Sequence, residues 1–217
     1  MDRQRPSTLF VRFELPKIYP ITDVLISGIS IPEQVERLIA GGATLIQLRE
    51  KYASSRDFYE AAECALEIAR ARGVRITIND RVDIALALKA DGVHLGQNDL
   101  PCVHARRILG DGAIIGLSTH SHEQAIAALG LPINYIAIGP IFSTTTKVDP
   151  DAAVGLEGLS RVRSLIGDFP LVAIGGITES NLKSVFETGA DSAAIISGLV
   201  SEASRITQKM RAILRQL

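Results

Sequence analysis

Charged and amide side chains in this sequence gather just after short apolar runs. One run ends Gln47-Leu48-Arg49-Glu50-Lys51, and strand alternation puts Gln47, Arg49 and Lys51 on one side, with Leu48 and Glu50 on the other. That side offers an amide and two cations, which suits an anion, although an exposed charged turn would show the same residues. Two further runs end in Asn79-Asp80 and in His94-Leu95-Gly96-Gln97-Asn98-Asp99. On adjacent parallel strands, about 5 Å apart, Asp80 and Asp99 can approach each other. Two close carboxylates repel unless a proton or cation lies between them. With no clustered Cys or His nearby the ligands are hard oxygens, and two carboxylates completed by waters and substrate phosphates usually hold Mg²⁺. The competing reading is that each Asp caps the helix after it, Asp80 before 82–88 and Asp99 before 102–109.

Smaller polar groups complete the set. Ser118 closes another run, although it could start the next helix, for which Ser121 is the better-placed cap. Ser143-Thr144-Thr145-Thr146-Lys147 is a run of hydroxyls closed by a cation, able to cover a phosphate or simply to lie in solvent. Gly175-Gly176 lets backbone N–H groups approach an anion at a helix start. Ile195-Ile196-Ser197-Gly198 is similarly small and polar. His120 and His122 form an HxH pair without a third ligand, and His94 reads as a hydrogen-bonded wall residue rather than a base. The set suits two anions, a phosphate on uncharged backbone and a diphosphate on cations with Mg²⁺. Neither a carboxylate pair outside metal duty nor a Ser-His-Asp grouping is visible. That favours chemistry in which diphosphate leaves and the protein supplies charge neutralisation and positioning.

Elements must place these groups at one mouth. Strand-like runs recur at 18–22, 45–49, 75–79, 92–95, 114–118, 135–139, 171–175 and 193–197, alternating with helical patterns such as 55–72 and 201–217. Eight strand–helix units in 217 residues point to a single-domain (β/α)8 barrel of the α/β class. In that fold chemistry sits at the C-terminal ends of the strands, where these residues fall. Gly41-Gly42-Ala43, Lys89-Ala90-Asp91-Gly92 and Thr188-Gly189-Ala190-Asp191 repeat one helix-to-strand turn. The longest irregular stretch, 140–154, is a candidate lid. Residues 1–17 form an N-terminal extension of unassigned role, and 18–217 form the barrel.

Composition agrees. Hydrophobic residues make up 47% of the chain but aromatics only 5%, so the core must be aliphatic, as in strands covered on both faces. A net charge of −1 favours neither nucleic acid nor an anionic membrane as partner. No stretch reaches the roughly 18 apolar residues of a membrane helix. Cys64 and Cys102 match no zinc or CxxC spacing and read as packed free thiols in helices, which suggests a reduced, cytoplasmic setting. A homo-oligomer is left open.

The ordered motifs resemble the thiamine phosphate synthase family over about residues 18–200. They are Gln47-Leu48-Arg49-Glu50-Lys51, Asn79 to Ala85, Gly92 to Pro101, Gly116-Leu117-Ser118, Thr144 to Lys147 and Val172 to Ile177. The resemblance implies that Gln47, Arg49, Lys51, Asn79, Ser118 and Lys147 bind hydroxymethylpyrimidine diphosphate, with Lys147, Ser118 and Arg49 catalytic. It implies Mg²⁺ on Asp80 and Asp99, and thiazole phosphate on Thr144, Thr145, Thr146, Gly176, Ile196 and Ser197. The implied reaction is dissociative, passing through a pyrimidine methyl cation that the thiazole nitrogen captures. One departure is Ser143, where the family often has Pro. Three rivals stand beside it: a thiazole tautomerase-like relative, a sugar-phosphate isomerase barrel and a non-catalytic thiazole phosphate sensor.

Overall fold

The computed structural model describes residues 14–144 and 152–217. Within them, eight parallel strands form one sheet: β1 Ile18–Pro20, β2 Leu45–Leu48, β3 Arg75–Asn79, β4 Gly92–Leu95, β5 Ile114–Thr119, β6 Tyr135–Ile138, β7 Leu171–Ile174 and β8 Ser192–Ile195. The order runs β1-β8-β7-β6-β5-β4-β3-β2. A parallel bridge from Ile21 to Gln47, with the Thr22 N–H donating to the Gln47 carbonyl at 2.9 Å, joins the two ends and closes the barrel. The fold expected from the alternating pattern is therefore the one observed.

Amphipathic helices cover the outside. The helix Ser55–Arg70 starts at the Ser54 cap and buries Phe58, Ala62, Ala65, Leu66 and Ala69, a stripe at helical spacing. The helix Ile31–Ala40 begins with a capping box between Ser30 and Glu33 and buries Ile31, Gln34, Val35 and Leu38. Apolar residues fall into two groups, a large one between helices and sheet and a smaller one inside the barrel. The inner group includes Tyr19, Ile21, Leu45, Tyr135, Val172 and Ala194.

At the closed end one device recurs. Asp91, Asn134 and Asp191 each precede a strand and accept from the N–H of Ile76, Ile115 and Leu171 on the strand before, at 2.7, 2.8 and 2.8 Å. These bonds satisfy an N–H group within the first two residues of β3, β5 and β7. Lys89 at φ 51 and the glycines at 42 (φ 104) and 189 (φ 109) supply the left-handed turns that the repeat predicted.

Several element ends fall a residue or two from expectation. β8 ends at Ile195, because Ile196 (φ −108, ψ −90) leaves the extended region and Ser197 opens the short helix Ser197–Val200. The 201–217 segment divides into a 3-10 turn, Ala203–Arg205, and a helix, Ile206–Leu214, since Glu202 is extended. Neither Asp80 nor Asp99 is a helix cap: Arg81 and Pro101 occupy those positions, without side-chain capping bonds. The Cys64 thiol is exposed rather than packed, whereas Cys102 is buried as expected. Among the described residues no helix is long and apolar enough to cross a membrane.

Candidate active site

The C-terminal ends of the strands surround one cavity. Gln47, Arg49, Asn79, His94 and Ser118 line one wall, and Thr144, Gly175, Gly176, Ile196 and Ser197 line the other. Gln47 is buried because β2 alternation turns it into the barrel, where its amide donates to the Tyr19 hydroxyl at 3.1 Å. Asn79 is also buried, and its Nδ2 has no hydrogen-bond partner among the described residues. A buried amide donor without an acceptor is costly, and a ligand atom in the cavity could satisfy it. Asp23, at the end of β1, pairs with the Arg49 guanidinium and accepts from the Ile26 N–H at 3.1 Å.

Beside the cavity stands a charged corner. Lys51 forms an ion pair with Asp80, whose φ of 61 places it in the left-handed region that Asp tolerates better than most residues. The Asp99 carboxyl accepts from the Gly96 N–H at 2.6 Å and is held above the ordinary carboxylate range, first by burial and then by its hydrogen bond with Asp80. The approach expected of these two carboxylates is observed. Among the described residues no group of three or more His, Cys, Asp or Glu converges. A cation here would thus have two carboxylates and would complete its shell with water and ligand oxygens, which fits Mg²⁺.

The opposite wall is built from close backbone approaches. Gly175 (φ 101) and Gly176 (φ 63) need conformations that L side chains rarely adopt. A Cβ on Gly176 would also lie 2.7 Å from Phe142 Cβ and 2.7 Å from the Ser143 carbonyl oxygen. The Ile141 and Phe142 N–H groups continue the ladder onto Ile174 and Gly175, at 2.9 and 3.0 Å. The Val154 N–H reaches the Pro140 carbonyl at 2.7 Å, so both ends of the 140–154 stretch are tied to the same strand end. Opening a helix at Ser197, a cavity-lining residue, leaves its first N–H groups without intrahelical acceptors. Thr145, Thr146 and Lys147 lie outside the described residues.

Residues 18–199 match the family described as thiamine monophosphate synthase. The chain belongs to this family. It is 49% identical over 199 residues to the thiamine-phosphate synthase of Syntrophomonas wolfei, covering 90% of this chain and 95% of that one. The corresponding protein of Clostridium novyi is 48% identical, with 85% and 90% covered. A solved structure of thiamine phosphate pyrophosphorylase from Pyrococcus furiosus superposes with a TM-score of 0.82 at 35% identity, covering 92% of this chain and 94% of that one.

Within this family member several site residues escaped the sequence reading. Asp23 follows the first strand as the other site carboxylates follow theirs, so its place at a strand end was the available signal. Tyr19 and Tyr135 lie within apolar strand runs, and nothing local marks their hydroxyls as meeting inside the barrel. His94 is a wall residue, bonded through Nδ1 to Tyr135 at 2.9 Å and through Nε2 to Ser118 at 2.8 Å. His120 lines the cavity and bonds the Gly139 carbonyl at 2.7 Å, while His122 pairs with Glu123, so the HxH pair does not converge. Ser121, not Ser118, caps the helix His122–Ala128.

Proposed function

We propose that the chain condenses hydroxymethylpyrimidine diphosphate with thiazole phosphate to give thiamine phosphate and diphosphate. The observation that carries this is one cavity whose opposite walls hold the amide, cation and hydroxyl set and the glycine-rich backbone set. Two anionic substrates are thereby brought face to face. The names of the relatives agree with this activity.

In the proposed reaction the bond between the pyrimidine methylene and the diphosphate oxygen breaks, and its electron pair leaves with diphosphate. The methylene cation is stabilised by the aminopyrimidine ring. The thiazole nitrogen lone pair then forms the new C–N bond. No proton is gained or lost at the reacting atoms, so the lack of an acid–base pair is no defect. Arg49, with Lys147 carried over from the family motif, would neutralise the diphosphate, and Gln47, Asn79 and Ser118 would orient the pyrimidine. Gly176 and Ser197, with Thr144, Thr145, Thr146 and Ile196 around them, would hold the thiazole phosphate. Asp80 and Asp99 would hold Mg²⁺, which supplies charge neutralisation to the departing diphosphate. Because Lys51 already pairs with Asp80, cation binding there would release its ammonium toward the diphosphate. The setting we propose is the cytoplasm, where the free thiols of Cys64 and Cys102 would stay reduced.

The test is a coupling assay with both substrates, with and without Mg²⁺. Thiamine phosphate and diphosphate released in equal amounts, and lost with EDTA, are the expected result. Binding of thiazole phosphate without product would overturn the synthase reading in favour of a sensor or tautomerase.

A further inference from the structure

Five side chains from five strands form one hydrogen-bonded line through the barrel interior. Tyr19 on β1 meets Thr77 on β3, Tyr135 on β6 donates to Tyr19 at 3.1 Å, and His94 on β4 joins Tyr135 at 2.9 Å and Ser118 on β5 at 2.8 Å. Both phenols are fully shielded, and burial raises their pKa values, Tyr135 well above the ordinary phenol value, so each keeps its single proton. The structure makes room for this line at Gly116, where a Cβ would sit 2.0 Å from Tyr135 Cζ and 2.3 Å from its hydroxyl.

One proton per hydroxyl gives the line a direction. The Tyr19 oxygen accepts from Tyr135 and from the Gln47 amide, so its own proton points to Thr77. Tyr135 has spent its proton on Tyr19 and must accept from His94 Nδ1–H. A His94 ring with its one proton on Nδ1 presents Nε2 as an acceptor, and the Ser118 hydroxyl then donates to it. Ser118, which lines the cavity, is left with accepting lone pairs toward a ligand. The ligand group that meets it must donate. The amino group is the only hydrogen-bond donor on an aminopyrimidine ring.

We propose that Tyr19 and Tyr135 are positioning residues that lock the His94 tautomer and so make Ser118 an acceptor, selecting a 4-aminopyrimidine over its 4-oxo analogue. The substrate half of this statement rests on the synthase reading; the tautomer half does not.

The tautomer is read by ¹⁵N NMR of the ligand-free full chain, with His94 assigned through a His94→Asn variant. Nδ1–H with a bare Nε2 is expected in the wild type. In Tyr19→Phe the Tyr135 hydroxyl loses its acceptor and turns to donate to His94 Nδ1, so the tautomer should invert to Nε2–H. Tyr135→Phe removes the Nδ1 acceptor and should shift the balance the same way, which a merely space-filling phenol would not do. An Nε2–H wild type, or a tautomer unmoved by both variants, overturns the lock. For Tyr19→Phe, kcat/KM with the amino substrate should fall about tenfold, and preference over the 4-oxo analogue should shrink alongside it. Unaltered preference removes the selectivity role. If the wild type makes no product with either substrate, the synthase reading fails, while the NMR result still decides the lock.

Discussion

The Arg49 guanidinium is held by the Asp23 carboxylate, a contact between residues 26 positions apart that exists because barrel closure sets β1 beside β2. The two side chains are only 13% and 8% exposed, so the pair is poorly screened. Asp23 is itself fixed, since it caps the helix Val24–Ser27. Asp23→Ala leaves a shielded guanidinium without its counter-charge and a helix without its cap. We expect a stability loss of about 2–4 kcal/mol in urea denaturation. Turnover efficiency should drop roughly 10- to 100-fold as Arg49 loses its aim. Kinetics equal to wild type would show that Arg49 is aimed by something else.

The pairing of Asp80 with Asp99 predicts a particular pH dependence. The Asp99 carboxyl titrates above its ordinary value of 3.8, so in that window the folded chain keeps a proton the unfolded chain has lost. Stability therefore falls as pH rises from the ordinary value through the folded one, and the cost is complete above it. Asp99→Asn removes the ionised form while its amide oxygen can still accept from Gly96. At neutral pH without divalent cations the variant should melt a few degrees above wild type, and at pH 3 the gap should close. Added Mg²⁺ should raise the melting temperature of wild type alone. A wild-type melt indifferent to Mg²⁺ would sink the shared cation.

Asn79 separates binding from stability. Its buried Nδ2 has no partner among the described residues, so Asn79→Leu discards a donor unpaired there and should change stability by less than about 1 kcal/mol. If that donor serves the pyrimidine diphosphate, the KM for that substrate should rise about tenfold or more. Calorimetry and steady-state kinetics on one preparation check both, and a large stability loss with normal KM would make Asn79 structural.

Gly176→Ala tests the opposite wall. The new methyl meets Phe142 and Ser143 at 2.7 Å and sits at φ 63, so the strand-end turn must shift. A stability cost of about 1–3 kcal/mol is expected. The KM for thiazole phosphate should rise severalfold while that for the pyrimidine diphosphate holds. Equal effects on both substrates would mean that the turn supports the cavity as a whole.

Much of this molecule can be read along the chain. Strand starts and the turning of Gln47 into the barrel follow from apolar runs and two-residue alternation, which depend only on local geometry. Lys51, beyond the end of β2, is exposed and pairs with Asp80. The left-handed positions at Gly42, Lys89 and Gly189 follow from the repeated turn. The closeness of Asp80 and Asp99 needed one further step, the assumption that consecutive strands are neighbours.

What alternation cannot supply is which side chains meet across the barrel. The Tyr135 hydroxyl reaches that of Tyr19 over 116 residues, and no spacing rule encodes that distance. That Ile196 turns instead of continuing the strand is likewise not written in local spacing; the turn brings Gly198 so near the Ile177 carbonyl that an added Cβ would lie 2.8 Å from it. The sequence by itself determined the elements, the barrel and the mouth residues, because periodicity and turn chemistry are local. Only the tertiary structure decided the pairings of those residues and the direction of the buried hydrogen bonds, because closing the ring brings together groups that the chain keeps far apart.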